Sequence, residues 1–86
     1  MKTIFLVLEI STNNDGSKKR RALSFSEKYK AINFITKYVN HKYDEKYICK
    51  LNDDEKYINN NLYKRIVTET STIEYYIDEI SYIDEE

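Results

Sequence analysis

The apolar residues near the N-terminus alternate with the period of a β-strand. Over residues 2–12, every second side chain from Ile4 to Ile10 is aliphatic, which suits a strand with one buried face. Phe5 and Val7 make the other face apolar near the start of the strand as well. We therefore expect this strand to lie in the interior of a sheet rather than at its edge.

An Asp-Gly dipeptide predicts that the first strand turns back in a hairpin. This dipeptide is typical of two-residue turns. With Asp15 and Gly16 as the only turn residues, Leu8 lies opposite Leu23. The same register pairs Leu6 with Phe25 and Ile10 with Arg21. The apolar residues of both strands then share one face, which we expect to be the buried face.

A helical pattern follows the hairpin. Ser24 and Glu27 have the spacing of a capping box, which predicts a helix start. Apolar side chains then recur every three or four positions and form one stripe, which should cover the apolar face of the hairpin. The stripe consists of Ala31, Ile32, Phe34, Ile35, Tyr38 and Val39. We expect the helix to end at residues 40–42.

The rest of the chain predicts three further strands, over residues 46–51, 62–69 and 73–83, with a helical turn at residues 55–59. The last segment also fits a helix with a capping box, but β-formers fill most of it and the acids that follow would oppose the helix dipole. We favour a strand. The order β-β-α-β-β-β predicts an α+β fold, a small antiparallel sheet with one covering helix in a single domain, residues 1–86.

Composition excludes several kinds of site. The 86 residues include one Cys, one His and one Gly, so an internal disulfide, a protein-only zinc site and a glycine-rich phosphate loop are not expected. No residue pattern links His41 or Cys49 to a nucleophilic mechanism. We therefore predict a protein that is not an enzyme and needs no cofactor or metal.

The chain is also predicted to be cytoplasmic. The N-terminal apolar run ends at Glu9, too soon for a signal peptide or a membrane span, and one Cys suits a reducing compartment. Asn, Ile, Lys and Tyr, all encoded by AT-rich codons, make up 39 of the 86 residues. This bias indicates a low-GC genome, such as that of a bacterium, its phage or a mobile element.

Charge is unevenly distributed along the chain. Residues 1–65 carry all 14 basic side chains with eight acidic ones, whereas residues 66–86 carry seven acidic side chains and no basic one. Tyrosines stand among these acids, a composition favoured where proteins bind proteins. We predict a partner-binding surface formed by Glu69, Glu74, Tyr75, Asp78, Glu79, Tyr82 and Asp84.

Two interpretations of the acidic region stay open. Side chains on one face of a strand are about 7 Å apart, close to the spacing of phosphates along a nucleic-acid strand, so the carboxylates would imitate DNA or RNA. Alternatively, they form a solvated face that keeps the protein soluble, and the tyrosines fill the core.

A basic run supports an alternative function. Lys18, Lys19, Arg20 and Arg21 would bind nucleic acid through phosphate contacts, with nearby tyrosines stacking on bases. The sequence pI of about 5.9 is low for a dedicated nucleic-acid-binding protein. A third possibility is self-association through a sheet edge. We expect a monomer or a weak homodimer that does not bind membranes.

In size, composition and acidic clusters, the chain resembles the small inhibitors that phages and mobile elements direct against bacterial defence, especially anti-CRISPR proteins. The residues that carry the resemblance are Asp53, Asp54, Glu55 and the acids from Glu69 to Glu86. The resemblance implies that the partner is a host protein that handles nucleic acid, such as a CRISPR effector nuclease, and that the protein inhibits it at its DNA-binding site.

Overall fold

The computed structural model describes residues 2–51 and 61–83 and has an α+β fold. Its elements follow the predicted order, with a 3₁₀ turn added after the helix. They are β1 (Lys2–Asn13), β2 (Lys18–Phe25), α1 (Lys28–Lys42), the 3₁₀ turn (Glu45–Tyr47), β3 (Ile48–Cys49), β4 (Leu62–Val67) and β5 (Ser71–Tyr82). The predicted helical turn at residues 55–59 lies outside the described residues.

The five strands form one antiparallel sheet in the order β2-β1-β5-β4-β3. The two longest strands, β1 and β5, pair along their whole length, from Lys2 opposite Tyr82 to Asn13 opposite Ser71. This pairing confirms that residues 73–83 form a strand and not a helix. It also places β1 inside the sheet, as the two apolar faces of β1 predict.

The register of the β1–β2 hairpin differs from the prediction by one residue. Val7, not Leu8, lies opposite Leu23. The reason is a longer loop, because Asn13 pairs with Ser17 and Gly16 takes a φ of 89° that suits glycine. A shift of one residue moves every side chain of β1 to the other face relative to β2.

The stripe of α1 packs on the sheet as predicted, but on the opposite face of β1. Ala31, Ile35 and Val39 are fully buried there, against a set of sheet residues that come from β1, β4 and β5. These are Val7, Ile66, Ile73, Tyr75 and Ile77. We call this side of the sheet the helix face.

The other side of the sheet carries the even-numbered residues of β1, with Leu6, Leu8 and Ile10 at its centre. We call it the open face, because the described residues place no helix on it. The aliphatic row that was predicted to be buried under the helix therefore lies on the open face. These side chains are half-buried by their neighbours in the sheet.

Two local predictions are wrong. Ser24 lies in β2, paired with Leu6, so it does not form a capping box with Glu27; the N-cap of α1 is Glu27, without a side-chain cap. The predicted strand over residues 46–51 is reduced to Ile48–Cys49, because residues 45–47 form the 3₁₀ turn. That turn lets Tyr47 pack against the core.

Candidate functional site

The predicted partner-binding residues do not form one surface. Strand alternation places Glu74, Asp78 and Tyr82 on the open face of β5, and Tyr75 and Glu79 on the helix face. Tyr75 has no exposed surface at all, so it belongs to the core and its assignment to a binding surface is wrong.

Tyr75 anchors a polar network beneath the helix. Its hydroxyl donates to Glu9 Oε2 at 2.5 Å, and Arg21 donates to the same oxygen at 3.2 Å. Burial, followed by the hydrogen bond to Glu9, raises the pKa of Tyr75 well above its ordinary value. Because Glu9 lies on β1 and Arg21 on β2, this network ties β5 to β1 and to the edge strand β2.

The carboxylates on the open face are engaged within the chain. Glu74 accepts two hydrogen bonds from the guanidinium of Arg65, the shorter at 3.1 Å, and Asp78 accepts one from the side-chain amide of Asn61. Glu74 and Asp78 are four residues apart on one strand, a spacing of about 13 Å, with Tyr76 between them. The described carboxylates of β5 therefore do not form a row with the spacing of phosphates.

The two remaining acids of the predicted set are not part of a common cluster. Glu69 is exposed in the β4–β5 turn, where the side chain of Asn14 donates to its carbonyl oxygen at 2.8 Å. It thus lies at the opposite end of β5 from Glu79 and Tyr82. Asp84 lies outside the described residues.

Glu79 and Tyr82 lie where β5 extends beyond β4. The last described backbone hydrogen bond of β5 with the β4 side runs from Ile77 N–H to the carbonyl of Asn61, at 2.9 Å. Beyond it, no described strand pairs with this edge of β5. We call residues 79–82, with residues 2–5 of β1 that pair with them, the distal end.

The backbone groups at the outer edge of the distal end have no strand partner among residues 2–51 and 61–83. In an antiparallel strand, the N–H and C=O groups of alternate residues point to the same edge. Since Ile77 directs its N–H toward β4, Glu79 and Ser81 direct theirs to the same edge, past the end of β4. Glu79 and Tyr82 are exposed beside this edge, Tyr82 by 42%.

A cleft opens next to Glu79 on the helix face. Its volume is about 160 Å³, and it lies between the start of α1, the start of β4 and β5. It is lined by Phe5, Lys28, Asn61, Leu62, Tyr63, Ile77 and Glu79. A cleft with apolar walls and both signs of charge at its rim suits a single side chain of a bound peptide.

The basic run is also divided by strand alternation. Arg21 lies on the helix face, as its bond to Glu9 requires, and Lys19 shares its parity, whereas Lys18 and Arg20 lie on the open face. The helix face gathers aromatic rings at this position. The guanidinium carbon of Arg21 is 5.1 Å from the ring centroid of Tyr38, and Lys42 Nζ is 5.3 Å from the same centroid.

Nothing in the described residues supports a metal or a membrane span. Within residues 2–51 and 61–83, no three His, Cys, Asp or Glu side chains are grouped closely enough to hold a metal ion. The one α-helix described there is too short and too polar to cross a bilayer.

Comparison of the chain with protein-family models, with curated proteins and with solved structures finds no match.

Asn61, which borders the distal end, is not among the site residues predicted from the sequence. Its side-chain amide donates to Asp78 and its carbonyl accepts from the N–H of Ile77. The signal that indicates the distal end is the length difference between the last two predicted strands, because an antiparallel partner that is several residues shorter leaves part of the longer strand unpaired.

Proposed function

We propose that this protein is a non-enzymatic interaction protein that binds a host protein through the distal end and inhibits it. The observation that carries the proposal is the coincidence, on one short stretch of β5, of a free strand edge, an exposed acid, an exposed tyrosine and an adjacent cleft. Proteins recognise extended peptides in this way, by adding a strand to an edge and inserting side chains into neighbouring pockets.

The proposed partner is a bacterial protein that handles nucleic acid, of the class of CRISPR effector nucleases. This choice rests on the resemblance in size and composition to anti-CRISPR proteins, and on the acidic character of Asp78 and Glu79. A nucleic-acid-binding surface is basic, so carboxylates beside a docking edge would favour it over other surfaces. Phage or mobile-element origin and action in the bacterial cytoplasm are parts of the same proposal.

The proposal is tested by a tagged pull-down from a low-GC bacterial lysate treated with nuclease, with bound proteins identified by mass spectrometry. The test variant is Glu79→Lys combined with Tyr82→Ala. The matched control is Glu69→Lys, an equally exposed acid at the other end of β5. Wild type and control should retain one nucleic-acid-handling protein that the test variant loses.

Inhibition is measured next, as the binding of that partner to its own nucleic acid with increasing amounts of each variant. Wild type and the Glu69→Lys control should abolish binding at equimolar ratio, and the distal-end variant should not. Equal capture and equal inhibition by the distal-end variant would contradict the proposal.

A second candidate function, direct binding of nucleic acid, is favoured by the cluster around Tyr38. Phe34 stacks on Tyr38 with ring centroids 5.8 Å apart, and Lys37 and His41 border the same shallow apolar groove. Aromatic rings among cations are the usual components of a single-strand binding surface. A basic side chain of the run 18–21 then contributes to nucleic-acid binding only if it lies on the helix face of the sheet.

The variant Lys19→Ala with Lys37→Ala tests this alternative against Lys18→Ala with Arg20→Ala on the open face. Affinity for a labelled single-stranded oligonucleotide is measured by fluorescence anisotropy at several salt concentrations. The helix-face variant should bind more weakly. The slope of log affinity against log salt concentration should fall in magnitude by about 1 for each phosphate that the removed basic side chains no longer neutralise. Equal oligonucleotide affinity of the wild type and both variants would exclude nucleic-acid binding by the helix face.

A further inference from the structure

The open face of the sheet carries a row of aliphatic side chains that no helix of the described residues covers. Leu6, Leu8 and Ile10 form a row along its centre, with Ile4 and Ile80 paired at one end of the row. Half-buried aliphatic side chains in a continuous row on a sheet are typical of a surface that packs against another layer.

The strands that flank this row carry opposite charges at the same level. Ile10 pairs with Arg20 on the β2 side and with Glu74 on the β5 side. One level along, Leu8 pairs with the small Ala22 on the β2 side and the large Tyr76 on the β5 side. The two flanks of the row thus differ in charge and in size, although Glu74 also accepts hydrogen bonds from Arg65 of its own chain.

We propose that a second copy of this chain covers the open face, with the two sheets packed face to face about a two-fold axis parallel to β1. Rotation about this axis lays β1 over β1 at the same level and exchanges the flanks. Arg20 then faces Glu74 of the partner subunit, and Ala22 faces Tyr76 of the partner subunit. Symmetry forms each of these contacts twice.

The charges select this axis over the other one that joins the same faces. A two-fold axis lying across the strands would place β2 over β2 and β5 over β5. Because that axis reverses the strand direction, an axis through Leu8 would place Glu74 opposite Asp78 of the partner subunit and leave Arg20 without an opposite charge. Like charges that face each other across an interface are unfavourable. Only the axis parallel to β1 therefore buries the aliphatic row and also brings opposite charges of its flanks together.

The dimensions of the face suit a dimer of modest affinity. With β1 over β1, three strands about 4.8 Å apart overlap, and eight residues of about 3.4 Å each give a flat footprint of about 400 Å². This is below the roughly 800 Å² per partner of a standard interface, so the proposed dimer is weak. Packed sheets lie about 10 Å apart, a gap that one Arg and one Glu side chain can span together.

The first test is sedimentation velocity of the wild type over a concentration series, beside two single variants. Arg20→Glu reverses the charge on the open face, and Lys19→Glu makes the same change one residue away on the helix-face side of β2. Wild type and Lys19→Glu should dimerise alike, and the dissociation constant of Arg20→Glu should rise at least about tenfold. A wild type that stays monomeric throughout, or equal effects of the two variants, would overturn the proposal.

The second test mixes two variants. Glu74→Arg should also fail to self-associate, because in this variant both flanks of the aliphatic row are basic. An equimolar mixture of Arg20→Glu and Glu74→Arg restores opposite charges at both contacts, so it should form a heterodimer. If Glu74→Arg does not fold without its bond to Arg65, Leu8→Glu takes its place as a variant that must be monomeric, because Leu8 meets its own copy on the axis.

The dimer and the proposed partner site are tested separately. Glu79 lies on the helix face and the free edge of β5 lies at the side of the sheet, so neither is covered by a second copy on the open face. The Arg20→Glu variant should therefore still capture the partner, and the single variant Glu79→Lys, which leaves the open-face residue Tyr82 unchanged, should lose partner capture and still dimerise.

Discussion

The helix face and the open face of the sheet carry apolar side chains at comparable positions, yet only the helix face is closed within the described chain. Val7 and Tyr75 are fully buried under α1, whereas Leu8 and Tyr76, one residue along the same strands, are only half-buried. The carboxylates do not differ in this way. Glu9 is paired with Arg21 on the helix face and Glu74 with Arg65 on the open face, so the difference between the faces lies in their apolar side chains.

The length of the hairpin loop thus decides which apolar row of β1 becomes part of the core. Both faces of β1 are apolar enough to accept a helix. The loop fixes the register, and through it places Leu23 and Phe25 of β2 beside Val7 and Phe5. The helix packs where both strands are apolar, and the other row of β1 is left to a different partner.

The largest effect should come from truncating the helix side of the core. Ile35→Ala should lower the free energy of unfolding by about 3 kcal/mol, because it leaves a cavity at a fully buried position. Leu8→Ala, measured in dilute monomeric protein, should cost less than half as much. Urea denaturation of both variants checks this, and equal losses would mean that the faces do not differ.

Tyr75→Phe should have the next largest effect, about 2 kcal/mol at neutral pH, because it removes a hydrogen bond to a charged acceptor. The pKa of Tyr75 is raised in the folded state from its ordinary 10.0, so its contribution is complete below pH 10 and is lost as pH rises above that value. The stability difference between wild type and variant should therefore shrink above pH 10. A difference that grows there would contradict this account of Tyr75.

A third prediction concerns the edge rather than the faces. Ser81→Pro removes a backbone donor that points to the free edge of β5, and proline is tolerated where the donor it removes has no partner strand. Partner affinity should fall about tenfold or more, whereas the urea midpoint should hardly move. Unchanged affinity in calorimetric titration would exclude strand addition and leave only side-chain recognition at the distal end.

The smallest effect should come from the loop that sets the register. Asp15 accepts hydrogen bonds from the hydroxyl and the N–H of Ser17, and these lower its pKa below 3.8. The stability it contributes is present above that value and is lost as pH falls through the lowered pKa. Asp15→Asn should thus be slightly less stable than wild type at pH 7, and the difference in urea midpoint should shrink as pH falls below 3.8.

The sequence predicted the elements better than their contacts. The alternation in residues 2–12 and 73–83 and the helical stripe at Ile35 are local patterns, and the structure confirms them. The hairpin register was wrong because Asp-Gly serves both two-residue and longer loops, and only the Asn13–Ser17 pair distinguishes them. Burial of Tyr75 depends on pairing between strands far apart in the chain, and no local pattern encodes it.

The candidate site was predictable only in part. The acidic, tyrosine-rich character of β5 is visible in the sequence, and Glu79 and Tyr82 remain exposed as expected. Their separation from Glu69 and Glu74 follows from strand direction and alternation. The outer end of β5 has a free edge because β4 begins only at Leu62. The cleft forms between this end of β4, β5 and the first turn of α1.

The central claim is that the open face is closed by a second copy of the chain. It is tested most directly by intermolecular nuclear Overhauser effects in a mixture of isotope-labelled and unlabelled protein at high concentration. The account predicts cross-peaks between copies from the methyl groups of Leu6, Leu8 and Ile10, and none from Val7 or Ile35. Cross-peaks from helix-face methyls, or no cross-peaks from the aliphatic row, would contradict it.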